Sequence, residues 1–164
     1  MVGKKLSKKE IALVEVLRTN GREKILPVAK KLGIPKSTLF DSLHRMEKKG
    51  ILNHKSLIDF EKIGYLTRIV VVVKTPFVER GKLKNYLSRC ENVNNLHVIN
   101  NGYDFMFEGV FKNLKDSGDF ISKMEEENMI QEKQVFSIVE DILREKFLCG
   151  ENVNDENNME EIDF

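Results

Sequence analysis

Lys36, Ser37, Thr38, Phe40, Asp41, His44, Arg45 and Lys48 are the side chains of this chain best suited to meeting a polyanion, and they recur at helical intervals. On a helix beginning near Lys36, Leu39, Leu43 and Met46 form one inward stripe, which leaves Lys36, Ser37, Phe40, Asp41, His44 and Lys48 outermost. Such a face fits a DNA major groove. Lys36 and Lys48 suit phosphates, and the Ser37 and Thr38 hydroxyls with the neighbouring helix N-terminal amides can hold another. Phe40 wastes apolar area in water but finds a partner in a thymine methyl; packing against a following wing or the first helix is the equal alternative. Asp41 is unfavourable beside phosphate unless it pairs with Arg45 at i+4 and orients that guanidinium. Lys55, beyond the helix, completes the candidate contacts.

A second constellation is Asn101-Gly102-Tyr103-Asp104. A glycine turn exposes backbone amides that can hold a carboxylate, and Asp104 can meet an ammonium group. The plainer reading makes Gly102 a turn residue at positive φ and Asp104 a turn cap.

The elements that must position these residues follow from caps and periodicity. Ser7-Lys8-Lys9-Glu10 is a capping-box pattern opening a helix with Ile11, Leu13, Val14 and Leu17, which stops at Asn20-Gly21. Pro27, at a first helical position, opens a short second helix ending at Gly33, and the third helix runs from Lys36 to the Gly50 stop. Helix, tight glycine turn, helix is a helix-turn-helix. Ile51, Leu52, Leu57 and Ile58, with Asn53-His54-Lys55-Ser56 between them, suit a β-hairpin wing. Beyond Gly64 come a strand around Ile69 to Val73, a helix from about Val78 to Cys90, strands at Val93 to Ile99 and Tyr103 to Phe111, and a helix from Leu114 to Glu127. A last strand at Val135 to Phe147 is assigned from its place in the pattern, because Val135, Ile138, Val139, Ile142 and Leu143 also fit helical spacing. The expected architecture is therefore α/β with two domains: a winged helix-turn-helix over residues 1–65 and a ferredoxin-like βαββαβ domain over 66–149. An acidic, disordered tail is expected over 150–164.

Charge divides along the same boundary. Residues 1–65 hold 15 Lys/Arg against 7 Asp/Glu, and the remainder 12 against 19, so a net charge of +1 conceals a basic half and an acidic half. The longest apolar run is far short of a membrane span, and no apolar block follows Lys4, Lys5, Lys8 and Lys9, so a cytoplasmic protein is expected. Cys90 and Cys149 lack CxxC neighbours, which argues against a zinc ribbon or disulfide framework. No catalytic set, phosphate loop or metal-ligand cluster is legible, and no cofactor is expected.

Gly33-Ile34-Pro35-Lys36-Ser37-Thr38-Leu39, Met46-Glu47-Lys48-Lys49-Gly50-Ile51-Leu52, Ile58-Asp59-Phe60-Glu61-Lys62-Ile63-Gly64-Tyr65 and Asn101-Gly102-Tyr103-Asp104-Phe105 together resemble the leucine-responsive/asparagine-synthetase (Lrp/AsnC) transcription regulators, over roughly residues 6–148. The resemblance implies a sequence-specific binder of double-stranded DNA that dimerises through its C-terminal sheet, assembles into tetramers or octamers, and responds to an amino acid or related metabolite. It also implies an effector loop at Gly102-Tyr103-Asp104, where dimers meet. Two departures stand out: Phe40 and Ser42 replace basic residues of the recognition helix, and Leu26 stands where the family places a hydroxyl N-cap, which Pro27 offsets.

Two other functions compete. Some tetrapyrrole (siroheme-type) decarboxylases resemble this architecture and use His and Arg in a pocket of the second domain, yet His97 is the only histidine after residue 65 and their His-Cys-Tyr-rich signature is absent around it. An effector-independent architectural DNA-binding protein suits the basic half equally well.

Overall fold

The computed structural model describes residues 6–149, which form two compact units. One comprises residues 6–56 together with residues 143–149; the other runs from Leu57 to Ile142. Lys4, Lys5 and the acidic tail expected over 150–164 lie outside the described residues.

The first unit holds α1 (Lys8–Thr19), α2 (Ile25–Leu32) and α3 (Lys36–Lys48). The Ser7 Oγ accepts the Glu10 N–H at 3.3 Å, and Glu10 Oε2 accepts the Ser7 N–H at 2.8 Å, so the capping box forms reciprocally. Pro27 sits at the third position of α2 rather than the first, and Lys24 rather than Leu26 precedes the helix, with no side-chain cap. The third position also owes no backbone N–H to the helix, so proline is tolerated there for the same reason. Gly33 closes α2 at φ 62°, a left-handed conformation that lets the Ile34 N–H reach Ala29 O at 3.0 Å and turns Ile34 into the core. Leu13, Val28, Ala29, Ile34, Leu39 and Met46 make that core.

The hairpin wing does not form: residues 51–58 contain no strand. The Ile51 N–H and Leu52 N–H both turn back to Met46 O, at 2.9 and 3.4 Å, and His54 Nε2 lies 3.1 Å from Glu47 Oε1, so this stretch closes on the end of α3 instead of pairing with itself.

The second unit contains β1 (Thr67–Lys74), α4 (Arg80–Arg89), β2 (Val93–Val98), β3 (Phe105–Phe111), α5 (Leu114–Glu127) and β4 (Glu132–Ser137). Its four strands pair antiparallel in the order β2-β3-β1-β4. Alternation on β1 sends Ile69, Val71 and Val73 into a core shared with Phe105, Phe107 and Phe111 of β3, Leu83 and Leu87 of α4, and Met124 of α5. Phe120 meets Phe111 and Phe107 at centroid distances of 5.3 and 6.0 Å. Val70 and Val72, on the alternate positions of β1, remain half-buried. The last strand ends ten residues short of the expected Phe147, because the charged run from Glu140 onward pairs with no neighbouring strand.

Candidate nucleic-acid interface and effector pocket

The third helix meets its neighbours through Leu39 and Met46, both nearly sealed from solvent. Lys36, Ser37, Thr38, Phe40, Asp41, His44, Arg45 and Lys48 are all exposed, as is Lys55. Phe40 is 56% exposed, so more than half of its surface is left uncovered. Pro35 precedes α3 with no side-chain cap, which leaves the first-turn amides of Lys36, Ser37 and Thr38 without a side-chain acceptor at the cap. Together these place two lysines, two hydroxyls and an aromatic ring on the surface opposite the core.

Arg45 departs from its expected role. Its Nη2 lies 2.6 Å from Glu10 Oε1 on α1 and 3.4 Å from Ser42 Oγ, so it is held by the first helix and not by Asp41. The capping bonds from the Ser7 backbone and hydroxyl, joined by the Arg45 guanidinium, bring the Glu10 carboxyl down from its ordinary 4.5 to about 2. Glu47 was not singled out from sequence, yet it faces both His54 and, at 4.0 Å, His44 Nδ1. A helical i,i+3 spacing could have suggested the second contact; the first depends on how the chain folds back.

In the second unit the turn between β2 and β3 has Asn101 at φ 67° and Gly102 at φ 94°. Two successive left-handed residues are what a tight hairpin of this hand needs, so the Asn-Gly pair is explained by backbone geometry alone. Beside it opens a pocket of about 750 Å³ lined by Asn101, Gly102, Tyr103 and Asp104 with Lys74, Thr75, Phe77, Arg80 and Gln131, among others. Asp104 is buried, accepts the Thr75 N–H at 2.8 Å through Oδ2 and pairs with Arg80 through Oδ1. Tyr103 donates its hydroxyl to Glu132 Oε1 at 2.6 Å, and that carboxylate holds the phenol above its usual pKa. Arg80, Thr75 and Phe77 carry no sequence signature; they reach the turn because β1 lies next to β3 and α4 starts at the end of β1.

His97 is exposed on β2 opposite Met106. Glu108, on β3, gathers Arg68 at 2.8 Å and Asn95 at 2.8 Å; burial alone would raise its pKa, but these hydrogen bonds outweigh it and the net shift is downward. Among the described residues no group of three or more His, Cys, Asp or Glu could hold a metal ion, and no helix is long and apolar enough to cross a membrane.

No protein-family model matches the chain. It is 27% identical over 126 residues to the HTH-type transcriptional regulator YugG of Bacillus subtilis, covering 72% of this chain and 75% of that one. It is 20% identical over 136 residues to the HTH-type transcriptional regulator PH1692 of Pyrococcus horikoshii, covering 82% and 91%. Among solved structures, the transcriptional regulator NMB0573 of Neisseria meningitidis in complex with L-Met superposes with a TM-score of 0.78 at 17% identity, over 85% of this chain and 94% of that one. AsnC of E. coli superposes with a TM-score of 0.77 at 14% identity, over 86% and 97%. The chain thus shares the fold of solved structures that include AsnC of E. coli and the regulator NMB0573.

Proposed function

We propose that this protein is a sequence-specific, oligomeric DNA-binding transcription regulator. The observation that carries the reading is the outer face of α3, where Lys36, Phe40, His44 and Lys48 stand in solvent opposite the buried Leu39 and Met46. α3 is the second helix of the helix-turn-helix and enters the major groove; Lys36 and Lys48 neutralise phosphates, while Phe40 reads a thymine methyl. Residues 51–56, with Lys55, flank the groove as an irregular segment in place of a hairpin. The βαββαβ order and the β2-β3-β1-β4 sheet support a ferredoxin-like reading of the second unit.

The sheet face opposite the helices supports a dimer. Val70, Val72 and Met106 are half-buried there and Phe136 is exposed, an apolar surface that a second copy would cover and that sets two half-sites about one DNA turn apart. A small-molecule effector binds in the pocket beside Asn101-Gly102-Tyr103-Asp104 and acts by favouring one assembly of dimers over another. The L-Met bound in the NMB0573 structure supports a ligand of this size. The relatives are named as transcriptional regulators, which favours this reading over a tetrapyrrole decarboxylase, and a cytoplasmic site of action follows from it.

Selection of bound DNA from a random pool with the full-length protein tests the proposal. Enrichment of a pseudo-palindromic motif is the expected result; a pool that stays random after repeated rounds overturns sequence specificity and leaves the architectural role.

A further inference from the structure

We infer that the pocket beside the Asn101-Gly102 turn selects a carboxylate that carries no ammonium group, a 2-oxo acid in preference to the α-amino acid of the same side chain; this rests on the effector reading above. Among the described residues lining the pocket, Asp104 is the only acid, whereas Lys74 and Arg80 are both cations. Asp104 is 6% exposed and both of its oxygens are engaged, one with the Thr75 amide and the other with Arg80. Within the lining an incoming α-ammonium would approach two cations against one committed anion, and the nearby Glu132 carboxylate already accepts the Tyr103 hydroxyl. To bind Asp104 well it would have to displace Arg80, or strip a buried backbone N–H of its acceptor, and each leaves a partner without its bond.

A carboxylate meets the opposite situation. A guanidinium has five N–H donors, and Arg80 commits one nitrogen, Nη2, to Asp104. The Arg80 guanidinium carbon also lies 5.2 Å from the centroid of the Phe77 ring, so an ion pair and a cation–π contact both restrain its fork. Asp104 thus acts as a positioning residue for Arg80. Lys74 and the side-chain amides of Asn101 and Gln131 add donors suited to a second oxygen, such as the keto group. Phe77 and Val98, 79% and 74% exposed, supply apolar surface for the ligand's side chain. The volume of about 750 Å³ lies in the range of small-molecule sites.

Calorimetric titration of the full-length protein with matched pairs, the 2-oxo acids and L-amino acids bearing isobutyl, methylthioethyl and benzyl groups, tests the inference. At least one oxo acid should bind about tenfold or more tightly than its amino acid. Arg80→Gln should abolish that binding and Arg80→Lys should restore part of it, with melting curves showing that both variants fold. Equal or tighter binding of every amino acid overturns the inference, as does binding of no ligand in the millimolar range or an Arg80→Gln variant that binds like the wild type. Footprinting with the same ligands separates the two readings. Calorimetric binding of an oxo acid with an unchanged footprint overturns the effector role and leaves the ligand class standing. A footprint that responds to amino acids alone overturns the ligand class and leaves the effector role.

Discussion

Arg45 Nη2 stands 2.6 Å from Glu10 Oε1, so a guanidinium in the last turn of α3 is tied to the first turn of α1. Glu10 thereby serves two ends, closing the cap at Ser7 and holding α3. The carboxylate form is what both bonds require. Stability from it is present above the ordinary Glu value of 4.5 and is lost as pH falls through about 2. We expect acid titration of the wild type to show this loss and Glu10→Gln to flatten it, with the variant weaker at neutral pH by on the order of 1 kcal/mol, since Arg45 is half exposed and screened.

DNA affinity should fall steeply with added salt, because phosphate contacts release counterions. Lys36→Ala and Lys48→Ala in the full-length protein should each lower affinity for all sequences and reduce the salt slope by about one. Phe40→Ala should instead change the preferred base at one position. Fluorescence anisotropy across a salt series checks the lysines, and motif selection with the variant checks the ring; an unaltered motif would remove the methyl contact.

The open sheet face predicts a dimer sensitive to a single charge. Phe136 lies across from Val70, next to the Val72 and Met106 pair. Phe136→Asp should yield a monomer at micromolar concentration with an unchanged circular dichroism spectrum, measured by sedimentation equilibrium. A wild type that already sediments as a monomer would refute the interface.

Gly109 leaves room for a neighbour's ring. A Cβ there would stand 2.6 Å from Phe111 Cε2 and 3.4 Å from Ile69 Cγ1, inside the packed core of the sheet unit. Gly109→Ala should therefore cost about 1–3 kcal/mol in denaturant unfolding. Gly118→Ala, where an added methyl meets nothing within 4 Å, is the control and should not destabilise.

Local signals in the sequence were reliable where the physics is local. The Ser7/Glu10 box, the bounds of α3 and α5, and the Asn101-Gly102 turn each depend on a few adjacent residues. Misreadings arose where distant partners decide. Asp41 stood at the favourable i+4 spacing, yet Glu10 offered Arg45 a carboxylate already ordered by its cap. Two apolar pairs, Ile51-Leu52 and Leu57-Ile58, around a polar quartet suggested a hairpin, but the backbone at Ile51 and Leu52 turns to Met46 first. The pocket cations were invisible because Lys74 and Arg80 join Asp104 only once β1 and β3 are side by side.

Arg18 carries one more consequence. Its guanidinium binds Glu145 Oε2 at 3.0 Å, Glu145 O at 2.6 Å and Phe147 O at 3.0 Å, so the helical unit includes a segment that the ribosome makes only after the whole sheet unit. In chain order the sheet is an insertion within the unit that carries α3. Synthesis can complete the sheet while the helices still lack their last piece, and a protease cut near Ile142 would sever that piece without touching a single residue of the candidate DNA face.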